Sequence, residues 1–327
     1  MLFLILFLTV LSPVVNCQVD ETGDYISLSF PSTTAGLHIP RLGLGTAGLG
    51  SRTSFVTQTA LNNGVRLIDT AQAPEWYSEE KVGDGLRKFH IGSTAVNDAV
   101  TIVTKIHPRS FEKLKMEKSI VESKRAIYGN TDATLDIVLL HSPHCWAGHC
   151  TAEEESISWR EGWRNLEFFM PLKNILAIGV SNFDKELLKE LIHMSKVKVL
   201  VIQNWMDPFH QDTEVRQYAA EQNMVYMAYS SFGTQWQGRG GGNPVFSNII
   251  LNEIARKHDT TVSDVVISWL LQEEVVAIPR ASSVDHIIAN SSPIKTGIKD
   301  EGLRVFLDKD DMERIRSLDG TLGNPWD

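Results

Sequence analysis

A set of polar side chains recurs at one kind of position in the 327-residue sequence: Asp69, Lys105, His141, Ser181 with Asn182, Gln203, Tyr229 and Arg280 each stand at or just past the end of a short apolar run. Singly, each has an everyday structural use, the carboxylate as a strand-end cap, the lysine in a salt bridge, the histidine hydrogen-bonded in a core. Together they supply a carboxylate, an ammonium, an imidazole and a phenol, the groups with which proteins hold, donate and electrostatically steer a proton. Their chemistry therefore depends on whether the elements that carry them converge.

Those elements alternate in type. Strand candidates are Leu42 to Gly45, Arg66 to Asp69, Thr101 to Lys105, Leu135 to Leu140, Leu176 to Val180, Val199 to Gln203, Met224 to Tyr229 and Val275 to Pro279. Between them, Ser78 to Phe89, Phe111 to Tyr128, Asp184 to Met194, Asp212 to Gln222 and Val262 to Gln272 place apolar residues three and four apart, which predicts amphipathic helices. Eight strands alternating with helices predict βαβ units and a parallel sheet, and they fit a closed (β/α)8 TIM barrel in a single domain over residues 18–327. Such a barrel gathers every strand C-terminus on one face, where active sites of this fold are built. An open doubly wound sheet is the competing architecture, but Gly43, Gly45, Gly48 and Gly50 lack its dinucleotide-binding spacing and show no following helix. Thr22 to Ile39 reads as a β-hairpin ahead of the barrel, placed to close its bottom.

In order along the chain, Gly43-Leu-Gly-Thr46, Leu67-Ile-Asp69-Thr-Ala, Glu80-Lys-Val-Gly83, Val103-Thr-Lys105, Leu140-His141-Ser-Pro143, Ile178-Gly-Val-Ser181-Asn182-Phe183, Gln203-Asn-Trp-Met-Asp-Pro208, Ala228-Tyr229-Ser-Ser-Phe-Gly233 and Ile278-Pro279-Arg280 resemble the aldo-keto reductase series, from about Ile39 to Asn290. The resemblance implies an oxidoreductase that reduces an aldehyde, ketone or sugar-like carbonyl to the alcohol by hydride transfer from NADPH, with NADH the alternative. It implies a catalytic tetrad of Asp69, Tyr77, Lys105 and His141. The tyrosine loop departs from the commonest pattern: Tyr77 stands eight residues after Asp69 rather than five, and a gapless alignment back from Val82 would put Trp76 in its slot. Tyr77 is preferred because a longer-loop variant of the family carries a Tyr-x-Glu form, and because an indole N–H cannot serve as proton donor. In the implied chemistry Tyr77 protonates the developing alkoxide, Lys105 makes the phenol acidic enough, Asp69 holds Lys105, and His141 orients the substrate oxygen.

The resemblance also implies a cofactor site. Ser181, Asn182 and Gln203 would meet the nicotinamide carboxamide, and Tyr229 would lie beneath the ring as a flat stacking platform. Gly45, Thr46, Asp69, Ser230 and Phe232 would complete the cofactor wall. Arg280, with Ser282, His286 and Asn290, would hold the adenosine end, the guanidinium gripping its 2′-phosphate. Two positions depart from the family there: its serine after the basic residue is Ala281 and its later arginine is His286. Substrate would contact Ala47, Trp76, His141, Trp146 and Trp236, and the glycine-rich Gly238 to Gly242 reads as a lid over cofactor.

Composition narrows the setting. A formal net charge of −9 and no basic run argue against a nucleic-acid partner. The apolar Leu2 to Val15, ending in Val15-Asn16-Cys17, predicts a signal peptide over residues 1–17 and a mature, secreted or endoplasmic-reticulum-lumenal chain from Gln18. The stretch is short of the roughly 20 residues that span a bilayer, so no stable membrane anchor is expected; an uncleaved anchor or a mis-assigned start codon is the rival. A monomer is expected. In an oxidising compartment Cys145 and Cys150 would suit a small-loop disulfide, and elsewhere they would be ordinary thiols. Zinc at His141, His144, Cys145, His149 and Cys150 is set aside because the spacing is irregular, so no metal is expected. The rival function is a catalytically inactive secreted barrel that binds or builds.

Overall fold

The computed structural model of the chain describes residues 16–19, 25–29, 37–92, 99–239, 242–296 and 305–323. Three short strands, β1 (Asn16–Val19), β2 (Tyr25–Ser29) and β3 (Leu37–Pro40), form an antiparallel sheet. Eight more follow: β4 (Leu44–Gly45), β5 (Leu67–Asp69), β6 (Thr101–Ile106), β7 (Leu135–Leu140), β8 (Ile175–Ser181), β9 (Val201–Trp205), β10 (Val225–Tyr229) and β11 (Val276–Ala277). They pair in sequence order, every neighbour parallel. The two ends of the row meet through a parallel bridge from Leu42 to Ala277, with Gly43 N–H on the Ala277 carbonyl at 2.8 Å and Gly45 N–H on that of Pro279 at 3.1 Å. The sheet therefore closes on itself as a (β/α)8 barrel.

Parallel strands buried on both faces read as continuous apolar runs, and each of the eight sequence candidates carries one of the eight strands. Their inward residues, among them Leu67, Val103, Ile137, Leu139, Val201, Met227 and Ile278, form one core, and a second core lies between the strands and the outer helices. The predicted hairpin is present as β2 and β3. Its Ile26, Leu37 and Ile39 join the inner core, and the Thr101 hydroxyl at the start of β6 donates to the His38 carbonyl at 2.8 Å, so the hairpin plugs the N-terminal end of the barrel. The expected boundary between Cys17 and Gln18 falls within β1, and residues 1–15 lie outside the described part of the chain.

The five helices expected from periodicity occur as Glu79–Gly92, Lys113–Tyr128, Lys185–Met194, Thr213–Glu221 and Val262–Gln272. One expectation needs correction: a helix, Thr53–Asn62, does follow the glycine cluster of Gly43 to Gly50. It is rich in threonine and buries Thr53 and Thr57 along with Val56, Ala60 and Leu61, so an apolar count underrates its inner face. No helix among the described residues is long and apolar enough to cross a membrane.

Candidate active site

The C-terminal ends of the barrel strands bring the sequence-selected residues together. Asp69 ends β5 and is 2% exposed, and Lys105, one residue from the end of β6, is 1% exposed. The Lys105 ammonium donates to both Asp69 oxygens, at 2.7 and 2.8 Å, and to the Thr70 carbonyl at 2.9 Å. Burial pulls the Lys105 pKa down against the pull of Asp69. The Gln203 amide on β9 reaches across the barrel to Asp69 Oδ1 at 2.8 Å, so this carboxylate is clamped from two sides.

Tyr77 and Trp76 are separated by the fold. The loop after β5 turns so that both backbone N–H groups donate to the Ala73 carbonyl, at 2.8 and 2.9 Å, and the Gly48 N–H donates to Trp76 O at 2.7 Å. The half-buried Tyr77 ring lies with its centroid 5.0 Å from Lys105 Nζ and 5.8 Å from the His141 ring. Trp76 remains 36% exposed and packs on Trp146 and His149 at the rim, 5.3 and 4.9 Å between centroids. Of the two, the phenol is the one beside the ammonium and the imidazole. Glu79 anchors this loop from behind, accepting from the Thr104 hydroxyl at 2.5 Å and from Ser123 at 2.8 Å.

Electrostatics at Tyr77 differ from the expectation that Lys105 acidifies the phenol. Burial, the Asp69 carboxylate and the neighbouring Tyr229 push the hydroxyl pKa well above the ordinary tyrosine value. The Lys105 charge is largely matched by its bidentate partner, so the phenol meets a compensated pair rather than a bare cation. His141 follows β7; burial and the nearby Lys105, His107 and Arg109 charges hold its pKa well below the usual histidine range, so it is neutral, with Nδ1 buried and without a hydrogen-bond partner among the described residues.

The residues assigned to cofactor occupy adjoining strand ends. Asn182 Nδ2 donates to the His141 carbonyl at 2.8 Å and to Ser181 Oγ at 3.2 Å, while its Oδ1 accepts from the Tyr229 hydroxyl at 2.6 Å. Its amide thus ties the ends of β7, β8 and β10 together. Asn182 and Ser230 both adopt positive φ, 63° and 55°, local strain of a kind that gathers at binding sites. Thr46 donates its hydroxyl to Asp69 O at 2.8 Å, and Ser230 Oγ accepts from Gln235 at 3.2 Å. Phe232 is half-buried against Phe246. Arg280 is exposed and reaches over the closing seam to the Ala47 carbonyl at 3.3 Å, beside Gly48, whose φ of +68° is a backbone conformation that glycine adopts without strain. Ser282 and His286 are exposed beside the start of the helix Val284–Thr296, where Ser283 Oγ accepts the His286 N–H, and Asn290 sits half-buried two turns along.

Trp236, also expected to contact substrate, is buried. It is 2% exposed, donates to Asp207 at 2.7 Å and packs edge-on against Trp205, so it holds the loop after β10 in place. Trp146 is at the cleft, 4.9 Å from the His141 ring and 5.3 Å from that of His107, inside a loop closed by a Cys145–Cys150 disulfide with Cα atoms 6.0 Å apart. The glycine run from 238 to 242 lies partly outside the described residues. Three neighbours escaped the sequence reading. Glu75 pairs with Arg109 at 2.7 Å and lies 3.8 Å from His149, joining the loops after β5, β6 and β7, and the His107 ring lies 5.3 Å from that of Trp146. For His107 the signal was its two-residue offset from Lys105, which puts both on one face of a strand.

Comparison with known proteins agrees with this geometry. The aldo/keto reductase family profile matches residues 41–318. A 9,11-endoperoxide prostaglandin H2 reductase of Trypanosoma cruzi is 29% identical, over 85% of this chain and 90% of its own, and a glyoxal reductase of Bacillus subtilis is 28% identical, over 86% and 90%. An NADPH-dependent D-xylose reductase of Meyerozyma guilliermondii is 26% identical, over 90% and 96%. Among solved structures, a Bombyx mori aldo-keto reductase in complex with NADP superposes with a TM-score of 0.76 at 20% identity, covering 93% of each chain, which speaks for the fold. The inactive-barrel alternative finds no support among these relatives. With a family match over most of its length and an acid–base cluster at the expected strand ends, the chain belongs to the aldo/keto reductase family, as an oxidoreductase of small carbonyl compounds that uses a nicotinamide dinucleotide.

Proposed function

We propose that the chain reduces an aldehyde, ketone or sugar-like carbonyl at the mouth of its barrel, that NADPH is the preferred cofactor, and that Tyr77 donates the proton. The observation that carries this reading is the placement of the Tyr77 ring 5.0 Å from the Asp69-clamped Lys105 ammonium and 5.8 Å from neutral His141. When bound, the dinucleotide supplies the hydride. The chain's own part is to hold the carbonyl oxygen near Tyr77 and His141 and to protonate it as it becomes an alkoxide. An alkoxide is a much stronger base than a phenolate, so a phenol with a raised pKa still gives up its proton downhill. Lys105 offsets the Asp69 charge that would otherwise repel the phenolate that remains, and Asp69 with Gln203 keeps the ammonium in place.

The residues present fit a phosphorylated dinucleotide. Ser181, Gln203 and the Tyr229 ring border one end of the cleft, and 13-residue helix Val284–Thr296 starts at the other, beside Arg280. A helix N-terminus with an adjacent guanidinium is a ready anion site, which favours a 2′-phosphate over a bare ribose. His286 in the first turn is a weaker phosphate ligand than an arginine. His286→Arg is therefore expected to tighten NADPH by about 1 kcal/mol, several-fold in Kd, while leaving NADH nearly unchanged. Equal gains for both cofactors would place the 2′-phosphate elsewhere.

A secretory route is part of the same proposal: an apolar leader and a disulfide five residues in span are both at home in an oxidising compartment. Protein secreted from a eukaryotic host tests all of this on one sample. Fluorescence titration is expected to give tighter binding of NADPH than NADH, and intact mass is expected to place the N-terminus at Gln18. Retention of Met1 to Cys17 would overturn the leader assignment, and failure to bind either dinucleotide would overturn the enzyme reading.

A further inference from the structure

Asp207 is a buried carboxylate that the reduction above leaves unused. It lies just past the end of β9, fully buried, and no lysine, arginine or histidine side chain pairs with it among the described residues. N–H donors meet its charge instead. Its Oδ2 accepts from the Trp205 indole at 2.9 Å and from the Trp236 indole at 2.7 Å, while Oδ1 accepts from the Phe209 backbone N–H at 2.8 Å. Burial raises the carboxyl pKa to about 6 against the pull of these bonds, so above that pH both oxygens are free to accept. Holding a carboxylate in the interior without a cation is costly, and packing alone would be served by a neutral side chain. What a carboxylate does that an amide cannot is accept on both oxygens, here joining the end of one strand to the loop that follows the next.

The loop so joined carries residues assigned to the dinucleotide. Trp236 lies in the short 3-10 helix Thr234–Arg239 after β10, its ring edge-on to Trp205 at 5.3 Å and to Phe209 at 6.3 Å. From it, hydrogen bonds run back to the strand: Trp236 N–H donates to Gly233 O at 3.2 Å, Gly233 N–H to Ser230 O at 3.0 Å, and Gln235 Nε2 to Ser230 Oγ at 3.2 Å. From the β9 side, the Met206 N–H donates to the Tyr229 carbonyl at 3.2 Å. Tyr229 and Ser230 are therefore held by two sets of bonds that meet at Asp207. We propose that Asp207 is a positioning residue for the nicotinamide dinucleotide: by holding Trp236 it keeps Tyr229 and Ser230 in place, and so sets how long the cofactor stays bound. The proposal rests on the reductase reading. Asp207 makes no hydrogen bond to Tyr77, Lys105 or His141, so its effect falls on cofactor retention and spares the proton-transfer step.

Asp207→Asn keeps the side chain's shape but turns one acceptor oxygen into a donor that faces another N–H. Stopped-flow displacement of NADPH is expected to show a dissociation rate raised about tenfold, the scale of one charge-assisted hydrogen bond, with Kd rising in step by fluorescence titration. At saturating NADPH, kcat/KM for the carbonyl should stay within about twofold of the wild type, because the Tyr77 cluster is untouched. A merely structural role would lower the melting temperature and leave the dissociation rate alone. Trp236→Phe keeps a ring against Trp205 and removes the indole N–H, so it should also speed release. Since both changes act through one bond, the double variant should release NADPH no faster than Asp207→Asn alone. A wild-type dissociation rate in either single variant, or effects that multiply in the double variant, overturns the proposal alone. If Asp207→Asn does not fold, the rate in Trp236→Phe decides by the same criterion. Failure of the wild type to bind either dinucleotide overturns the reductase reading and the proposal with it.

Discussion

Tyr77 and Trp76 are consecutive residues with opposite surroundings, and the difference is what a substitution series reads. Tyr77→Phe removes only a hydroxyl, so packing against Lys105 and His141 survives. Turnover is expected to fall at least about a hundredfold, the usual contribution of a positioned general acid, with NADPH affinity almost intact. Lys105→Met should lower turnover similarly, because it strands the Asp69 carboxylate beside the phenolate that the reaction must form. Trp76→Phe is the control: it should act mainly on substrate KM, since the indole only packs on Trp146 and His149 at the rim. The raised Tyr77 pKa also sets a pH limb. An acid that stays protonated past the ordinary tyrosine value of about 10 keeps the reduction rate flat through neutral pH and lets it fall only in strongly alkaline solution. Steady-state kinetics on the three variants, with a pH profile of the wild type, check both points; loss of turnover in Trp76→Phe but not in Tyr77→Phe would reassign the proton donor.

At the level of elements, strands were far more legible than loops. A buried parallel strand needs an apolar face on both sides, and that requirement is written locally as runs such as Leu135 to Leu140 and Ile175 to Val180. Residues that end such runs were legible with them, which is why Asp69, Lys105, His141 and Gln203 could be picked out. Loop residues are placed by partners remote in sequence. Nothing near Trp236 signals its bond to Asp207, and nothing near Glu75 signals Arg109 or His149. The disulfide loop from Cys145 to Cys150 shows what such placement does, because it carries Trp146 onto His141 and His149 onto Trp76. Replacing both cysteines by serine should raise KM for carbonyl substrate several-fold and leave the NADPH Kd within about twofold, since the released loop borders substrate and not the dinucleotide end. Chain-entropy arguments for so short a loop give a stability loss of about 2 kcal/mol. Dithiothreitol on the wild type should reproduce the kinetic effect. A matching loss of cofactor affinity would mean that the loop supports the whole cleft.

Across the whole molecule, buried ionisable groups of opposite kind act in one pH range. Burial lowers His107 to about 4 in the folded chain against 6.5 when exposed, and burial likewise holds His141 well below the usual histidine range. Between those values the unfolded chain binds protons that the folded chain refuses, so these two groups make stability fall as pH drops from 6.5 towards 4. Asp136 and Asp207 work the other way. Burial raises each from 3.8 to about 6, so over that span the folded chain holds protons that the unfolded chain has released, and stability from these groups grows as pH falls. The two kinds of group therefore oppose one another in the wild type between pH 6.5 and 4. Removing one histidine breaks the balance. His107→Asn, which retains an acceptor for the Arg109 N–H, is expected to gain on the wild type progressively below pH 6.5, the difference approaching about 3 kcal/mol near pH 4, because 2.5 pKa units at 1.36 kcal/mol each are no longer lost on folding. Thermal melts of the two proteins across pH 4 to 8 measure it directly: curves that converge at pH 7.5 and separate steadily on acidification are the expected result, and parallel curves would mean that His107 meets enough solvent to titrate normally in the folded chain.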